Sequence, residues 1–276
     1  MLRLKLHPLT PMPAIRTLAK SCIVLLLGSE SRPRTILRGL ARGYRICVSP
    51  KENLGYLLGT SEPHLQKIIR EYVRPGDTVY DIGANIGYVS LSLSKQVGRS
   101  GRVVAFEPIP QNAEAFRENV RNNQLQNVRL LEAAASDARG NTVIRLAENA
   151  STASLVWHRN DPSAIELHVD TVLIDELVET GELGPPSFVK IDVEGSEGLV
   201  VQGMHRTIAA AKPVVFIECS DGGREASWRL FQDLGYRCQS AITRQWVDSY
   251  SEYRHSDFLW LPTRLSNGQR RSSRLQ

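Results

Sequence analysis

The chain has 276 residues and a formal net charge of +5, and 42% of its residues are hydrophobic and 23% charged. These proportions are typical of a soluble globular protein and exclude collagen-like, low-complexity and wholly disordered chains. No run of about 18 apolar residues is present, so the sequence predicts no transmembrane helix.

The charge is unevenly distributed along the chain. Residues 1–46 have a net charge of +8 and residues 263–276 of +4, whereas residues 47–262 have a net charge of −7. The acidic body argues against a broad nucleic-acid groove, and solvated tails are the simplest interpretation of the basic ends. Contact of the basic N-terminus with an anionic membrane surface stays open.

The charge distribution suggests four regions of the chain, and the cysteines suggest its cellular compartment. We expect a basic extension over 1–34, a small subdomain over 35–73, an α/β domain over 74–262 and a basic tail over 263–276. The four cysteines contain no C-x-x-C pair, which favours free thiols in a reducing, cytoplasmic compartment. The apolar stretch 22–27 is short for a signal peptide, and no cleavage motif follows it.

The predicted elements change character at residue 74. Before it we expect a strand at 44–48 and a helix at about 61–72, with Ser61 as its N-cap and Pro63 in its first turn. After it, strands and helices alternate, which predicts a doubly wound parallel sheet. The predicted strands are 78–82, 102–106, 128–134, 142–146, 188–193 and 214–218; helices begin near 85, 110, 195 and 224, and an antiparallel pair at 236–241 and 258–261 closes the sheet.

Five of these strands end in an acidic residue: Asp81, Glu107, Glu132, Asp192 and Glu218. Open α/β sheets bind ligands at the carboxyl ends of their strands, so we expect a negative crevice there. Such a crevice disfavours a pyrophosphate and suits a ligand with positive charge and sugar hydroxyls. S-adenosylmethionine, with its sulfonium, ammonium and ribose, has both. For Glu132 we expect only a helix-capping role.

A glycine turn follows the first strand of the α/β domain and reads DIGANIG from residue 81. A dinucleotide fingerprint needs glycines where this chain has Asn85 and Tyr88, so a dehydrogenase is disfavoured. The remaining glycines are expected to let a ligand approach the backbone closely. Glu107 lies 24 residues after Gly83, at the position where a carboxylate accepts hydrogen bonds from a ribose.

Charged residues alternate in the strand at 188–193. Lys190, Asp192 and Glu194 share one side of a strand that should be buried on both faces, where charges are costly unless paired or used. A pair between Lys190 and a carboxylate that braces the site is the structural interpretation. The position of Asp192 and Glu194 at the carboxyl end favours a functional one.

Together these motifs resemble the FkbM family of methyltransferases. The matching stretches are DIGANIGYVS from residue 81, FEP from 106, ASD from 135 with Gly140, KIDVEG from 190 and IE from 217. The resemblance covers residues 55–220. It implies a class I, Rossmann-like methyltransferase fold with a seven-stranded sheet, and S-adenosylmethionine-dependent methylation of hydroxyl oxygens of sugars, glycolipids or polyketides.

The resemblance also implies roles for individual residues. It places Asp192 and Glu194 beside the reacting methyl group. It assigns cofactor contacts to Asp81, Gly83, Ala84, Asn85, Gly87, Glu107, Pro108, Ser136 and Asp137.

Methyl transfer to an alcohol needs aligned partners and removal of the hydroxyl proton. Asp192 is the first candidate for the base or for a ligand of a divalent metal, and Glu194 and Glu218 are the next. Asp192 and Glu218 are the two candidate ligands of such a metal. The lone histidines 158, 168 and 255 are weaker candidates, for which a surface position is the simpler interpretation.

The polar loop at 149–158 supplies candidates for substrate binding. Ser154 offers a hydroxyl, and Trp157 offers an apolar face on which a sugar ring can stack. Packing of Trp157 beneath the loop is an equally open interpretation.

Two alternatives from other classes stay open. One is a nucleic-acid methyltransferase that uses the basic termini; the other is a non-catalytic, cofactor-binding scaffold on the same fold. The acidic body argues against the first, and the presence of Gly83, Gly87 and Glu107 argues against the second. The sequence therefore predicts an O-methyltransferase that acts on a hydroxyl of a sugar, glycolipid or secondary metabolite.

Overall fold

The computed structural model describes residues 28–146, 153–154, 165–219, 221–252 and 256–263. The backbone forms two compact units, Met1–Ser61 and Glu62–Gln276. The four regions expected from the sequence, divided after residues 34, 73 and 262, stay a prediction. No helix in the described ranges has both the length and the apolar character needed to cross a membrane.

The first unit contains a hairpin and a helix. Strand β1 (Arg32–Thr35) pairs antiparallel with β2 (Arg45–Val48), and α1 (Pro50–Leu58) follows. The strand predicted at 44–48 is confirmed, whereas β1 and α1 were not predicted. Helix α1 ends at Gly59, where φ is 70° and an added Cβ would lie 1.9 Å from the carbonyl oxygen of Arg38. Glycine is required there by both conformation and space.

The second unit alternates strands and helices, as predicted. Its strands are β3 (Thr78–Ile82), β4 (Arg102–Phe106), β5 (Val128–Leu131), β6 (Ala134–Ala135), β7 (Gly140–Leu146), β8 (Ala153–Ser154), β9 (Ile165–Val172), β10 (Phe188–Ile191), β11 (Val214–Glu218), β12 (Tyr236–Ser240), β13 (Trp246–Val247) and β14 (Asp257–Pro262). Its helices are α2 (Pro63–Tyr72), α3 (Tyr88–Val97), α4 (Pro110–Asn122), α5 (Ile174–Glu179), α6 (Glu197–Gly203), α7 (His205–Ala211) and α8 (Asp221–Asp233), with a 3₁₀ turn at Tyr250–Glu252.

The large sheet has the order β13-β12-β14-β11-β10-β3-β4-β5. The five strands from β11 to β5 are parallel, and β14 lies antiparallel between β11 and β12. This is the doubly wound α/β fold of class I methyltransferases, as predicted, including the closing antiparallel pair. The sheet has eight strands rather than seven, because the two-residue strand β13 adds an edge.

A second sheet, with the order β6-β9-β7-β8, follows β5 in the chain. It divides the strand predicted at 128–134, because Val128–Leu131 joins the large sheet and Ala134–Ala135 pairs with β9. The strand predicted at 142–146 is confirmed as part of β7. Strand β9 and helix α5 were not predicted, although the sequence IELHVDTV of β9 alternates apolar and polar residues, a pattern typical of a strand.

Helices α6 and α8 begin at Glu197 and Asp221 rather than near 195 and 224. Two other helix starts differ for a local reason. Helix α2 is preceded by Glu62, in the left-handed conformation with φ of 51°, rather than capped by Ser61. Helix α3 begins at Tyr88 rather than near Asn85, because Asn85 and Gly87 have φ of 50° and 92° and so cannot be helical.

The core surrounds the central parallel strands. All four residues of β10 are buried, as are the last four of β3. Buried aromatic rings pack beside the antiparallel end of the sheet, where the rings of Phe231 and Trp260 stack with centroids 4.8 Å apart. The carboxyl ends of β3, β4, β10 and β11 lie at one edge of this sheet, whose central strands are buried.

Candidate active site

Four of the predicted acidic residues lie at this edge of the sheet. Asp81 is in β3, Glu107 follows β4, Asp192 follows β10 and Glu218 ends β11, and these strands are neighbours in the parallel part of the sheet. Glu132 instead forms an exposed ion pair with Arg117 of helix α4. Four of the five predicted acidic strand ends thus share this edge, whereas Glu132 lies apart from them in an ion pair rather than in the helix-capping role expected from the sequence.

Lys190 joins the two central strands through its ammonium group. The side chain is 4% exposed, and its Nζ lies 3.3 Å from both Asp81 Oδ1 and Asp192 Oδ2. The same Nζ donates a hydrogen bond of 2.7 Å to the carbonyl oxygen of Gly83, and Asp81 Oδ2 accepts one of 2.6 Å from Ser90. Burial lowers the pKa of Lys190, but Asp192 and Asp81 raise it by more, so the group stays charged.

Gly83 lies where the glycine turn meets the end of β10. The N–H groups of Gly83 and Ala84 both donate to the carbonyl oxygen of Phe106, at 3.0 Å each. The φ of Gly83 is 76°, and an added Cβ would lie 1.8 Å from the carbonyl oxygen of Asp192. The close approach expected for a ligand is thus made here by the protein's own backbone.

The second half of the turn is also shaped by contacts within the protein. Asn85 has a φ of 50°, and its Oδ1 accepts a hydrogen bond of 2.7 Å from the N–H of Ile86. This local bond is the kind that lets asparagine adopt the left-handed conformation. At Gly87, an added Cβ would lie 2.8 Å from the ring of Phe116. A side chain at Gly87 would therefore displace a buried ring of α4.

Glu107 is held in place by three donors. The side chain is 4% exposed. Its Oε2 accepts a hydrogen bond of 2.8 Å from Asn85 N–H, and its Oε1 accepts bonds of 3.0 Å from Ile109 N–H and 3.3 Å from Asn112 Nδ2. Burial raises the pKa of Glu107, while the N–H groups of Ile109 and Asn85 lower it. A carboxylate has about four lone-pair sites, so one remains for a ligand hydroxyl.

A carboxylate cluster occupies the other side of the edge. Burial, and after it the negative charges of the neighbouring carboxylates, raises the pKa of Glu218 to about 8. Glu218 also lies directly opposite Asp257 in the register of β11 and β14. We define the carboxylate cluster as Glu62, Asp192, Glu194, Glu218 and Asp257.

Two members of this cluster, Asp257 and Glu62, were not predicted from the sequence. Asp257 starts β14, and only the antiparallel pairing with β11 brings it opposite Glu218. Glu62 comes from the start of α2, and burial and Asp192 raise its pKa while Lys190 lowers it. Asp257 could have been found from the sequence, because it directly precedes the predicted strand at 258–261.

The remaining predicted residues have varied positions. Ser136 donates through its Oγ to Asp137 Oδ1 at 3.2 Å, and Pro108 follows Glu107 directly in the chain. His168 lies exposed on β9, as the simpler interpretation expected. Trp157, His158 and His255 lie outside the described residues, as does the side chain of Ser154. Within the described ranges, no three His, Cys, Asp or Glu side chains are grouped to hold a metal ion.

The family model for the methyltransferase FkbM domain matches residues 81–238. The chain belongs to this family. The chain is 28% identical over 165 residues to the hexuronic acid methyltransferase AglP of Haloferax volcanii, and the aligned region covers 56% of this chain and 61% of AglP. It is also 34% identical over 71 residues to the protein-L-isoaspartate O-methyltransferase of Triticum aestivum, covering 24% and 31%. The chain thus spans less than two thirds of these relatives.

Among solved structures, this chain is similar to the methyltransferase FkbM of Methylobacillus flagellatus. The TM-score is 0.42 at 16% identity, and the match covers 89% of this chain and 59% of that one.

Replacing the buried ammonium should destabilise this protein strongly. Lys190→Met leaves Asp81, which is 0% exposed, without its cation, and we expect the free energy of unfolding to fall by about 3–5 kcal/mol. Denaturant titration measures this difference. Lys67→Met, the same change at an exposed position of α2, should have little effect. Similar losses in both variants would contradict the role given to Lys190.

The raised pKa of Glu218 predicts a pH-dependent stability. Its pKa is about 8 in the folded protein against an ordinary value of 4.5, so between these values the folded protein holds a proton that the unfolded chain has lost. The stability that this proton contributes is present below the lower value and is lost as the pH rises through the higher one.

We therefore expect Glu218→Gln to flatten the decline in Tm as the pH rises from about 5 to 9. Thermal unfolding followed across this range tests the expectation. Glu225→Gln, at an exposed position of α8, is the matched control and should follow the wild type. A curve for Glu218→Gln parallel to that of the wild type would show that Glu218 does not titrate in this way.

Proposed function

We propose that this protein is an S-adenosylmethionine-dependent O-methyltransferase that acts on a hydroxyl of a sugar, glycolipid or secondary metabolite. The observation that carries the proposal is the buried carboxylate of Glu107, which three donors hold at the end of β4 with one lone-pair site left. Such a fixed acceptor suits a ribose hydroxyl. The membership in the FkbM family supports the same conclusion.

The charges at the site fit this cofactor. A sulfonium and an ammonium group are favoured beside Asp192, Glu194 and the other members of the carboxylate cluster, whereas a pyrophosphate is repelled. When bound, S-adenosylmethionine supplies a methyl group that is already activated by the positive sulfur. The chain's own residues then have to bind the cofactor and the acceptor, align the acceptor hydroxyl with the methyl group, and accept the hydroxyl proton.

Asp192, Glu194 and Glu218 are our candidates for the proton acceptor. As the acceptor oxygen forms its bond to the methyl carbon, the carbon–sulfur bond breaks with its electron pair staying on sulfur, and the hydroxyl proton passes to a carboxylate. Asp192 is the first candidate because its side chain is 34% exposed and is held by Lys190. A divalent cation bound by Asp192 and Glu218 stays a prediction.

The relative AglP favours a sugar among the acceptor classes, since it is named as a hexuronic acid methyltransferase. We extend to this chain only the general class, a hydroxyl of a carbohydrate-containing molecule. Nucleic acid is disfavoured as a partner by the net charge of −7 over residues 47–262. A cytoplasmic location, with the basic N-terminus as a candidate membrane contact, also stays a prediction.

Calorimetric titration with S-adenosylhomocysteine tests the cofactor assignment. Glu107→Ala should weaken binding by about 1.5–3 kcal/mol, because a charged hydrogen bond to the ribose is lost. Asp192→Asn should bind S-adenosylhomocysteine like the wild type but lose methyl transfer. Glu114→Ala, at an exposed position of α4, is the control. Wild-type protein that binds NAD and neither sulfur compound would overturn the proposal.

A further inference from the structure

The turn after β10 is fixed at its start and unusual at its end. The N–H of Asp192 donates to the carbonyl oxygen of Ile82 at 3.0 Å, which ties the turn to β3. Beyond it, Glu194 and Gly195 have φ of 52° and 104°. Glutamate rarely adopts the left-handed conformation, so neighbouring groups must hold Glu194 in this geometry.

Glu197 holds the far end of this turn. The residue is 0% exposed, and its Oε1 accepts a hydrogen bond of 2.8 Å from the N–H of Gly195. It is the first residue of α6, where the helix dipole favours a negative charge. A buried carboxylate is costly unless it is paired or hydrogen-bonded, and the bond from Gly195 N–H meets part of this need. Glu197 belongs neither to the carboxylate cluster nor to the predicted cofactor contacts.

We propose that Glu197 is a positioning residue that keeps the Glu194 carboxylate beside that of Asp192 by holding the N–H of Gly195. Glu194 lies in a turn whose two ends are fixed, by the N–H of Asp192 on Ile82 and by the N–H of Gly195 on Glu197. Burial, and after it the negative charge of Asp192, raises the pKa of Glu194. This inference rests on the proposed function, in which Asp192 and Glu194 lie by the reacting methyl group. The role of Glu197 is indirect, because its contact with the turn is to the backbone N–H of Gly195.

The two forms of the cofactor distinguish positioning from general stability. S-adenosylmethionine has a positive sulfur and S-adenosylhomocysteine a neutral one, so the ratio of their affinities depends on carboxylates placed near the sulfur. The ribose contact at Glu107 is common to both compounds. A general loosening of the fold therefore lowers both affinities, whereas a displaced Glu194 lowers mainly that for S-adenosylmethionine.

The experiment is calorimetric titration of the full-length wild type, Glu197→Gln and Glu197→Ala with each compound. In Glu197→Ala we expect the affinity for S-adenosylmethionine to fall about fivefold relative to that for S-adenosylhomocysteine. Glu197→Gln should keep the wild-type ratio, because its amide oxygen can still accept the Gly195 hydrogen bond. Glu176→Ala, an exposed acid in the first turn of α5, is the matched control.

The outcomes separate the inference from the function. Wild-type protein that binds neither compound removes the proposed function and the inference with it. Wild-type binding of both, with equal losses in Glu197→Ala, leaves the function standing and overturns the positioning role. If Glu197→Ala does not fold, Glu197→Asp replaces it, since it keeps the charge but shortens the side chain. An unchanged ratio in that variant also overturns the role.

Discussion

A buried ammonium group organises the candidate site. Lys190 lies in register with Asp81 on the neighbouring strand, and its Nζ contacts Asp81, Asp192 and the carbonyl oxygen of Gly83. One side chain thus connects β3, β10 and the glycine turn between β3 and α3. Because the charge is buried, each of these contacts is expensive to lose. The backbone contact between Gly83 and Asp192 depends on the same close approach of the two strands.

The carboxylate cluster reduces the stability of the fold, whereas the contacts of Lys190 increase it. The members of the cluster come from the ends of β10 and β11, the start of β14 and the residue before α2, and burial, followed by the negative charges of the other members, raises the pKa of Glu218. Like charges held together reduce stability at neutral pH. Proteins tolerate such costs mainly at functional sites. A cationic ligand would relieve the repulsion, which is why the cluster supports a sulfonium compound rather than a nucleotide phosphate.

The sequence predicted most of the fold and three of the five members of the carboxylate cluster. Strongly patterned segments such as β3 and β4 were predicted at their observed bounds, since buried parallel strands have continuous apolar runs. The strand predicted at 128–134 was wrong in its extent, because one apolar stretch serves two sheets. Glu62 and Asp257 escaped prediction because only tertiary contacts bring them to the cluster. The glycine turn was recognised, but the need for Gly83 comes from the carbonyl of Asp192, which no local pattern reveals.

The order of the strands places Glu107 and the carboxylate cluster at different positions along the edge of the sheet. Glu107 follows β4, whereas the carboxylate cluster begins at β10, and β3 lies between them. Neighbouring strands are about 4.8 Å apart, so β4 and β10 are separated by about 10 Å. A ligand with hydroxyls at one position and a positive charge further along fits this spacing. Lys190 and Asp81 lie between the two regions, and Lys190 also contacts Asp192 of the carboxylate cluster. In the proposed function, Glu107 and the carboxylate cluster therefore bind different parts of one ligand along the same edge of the sheet.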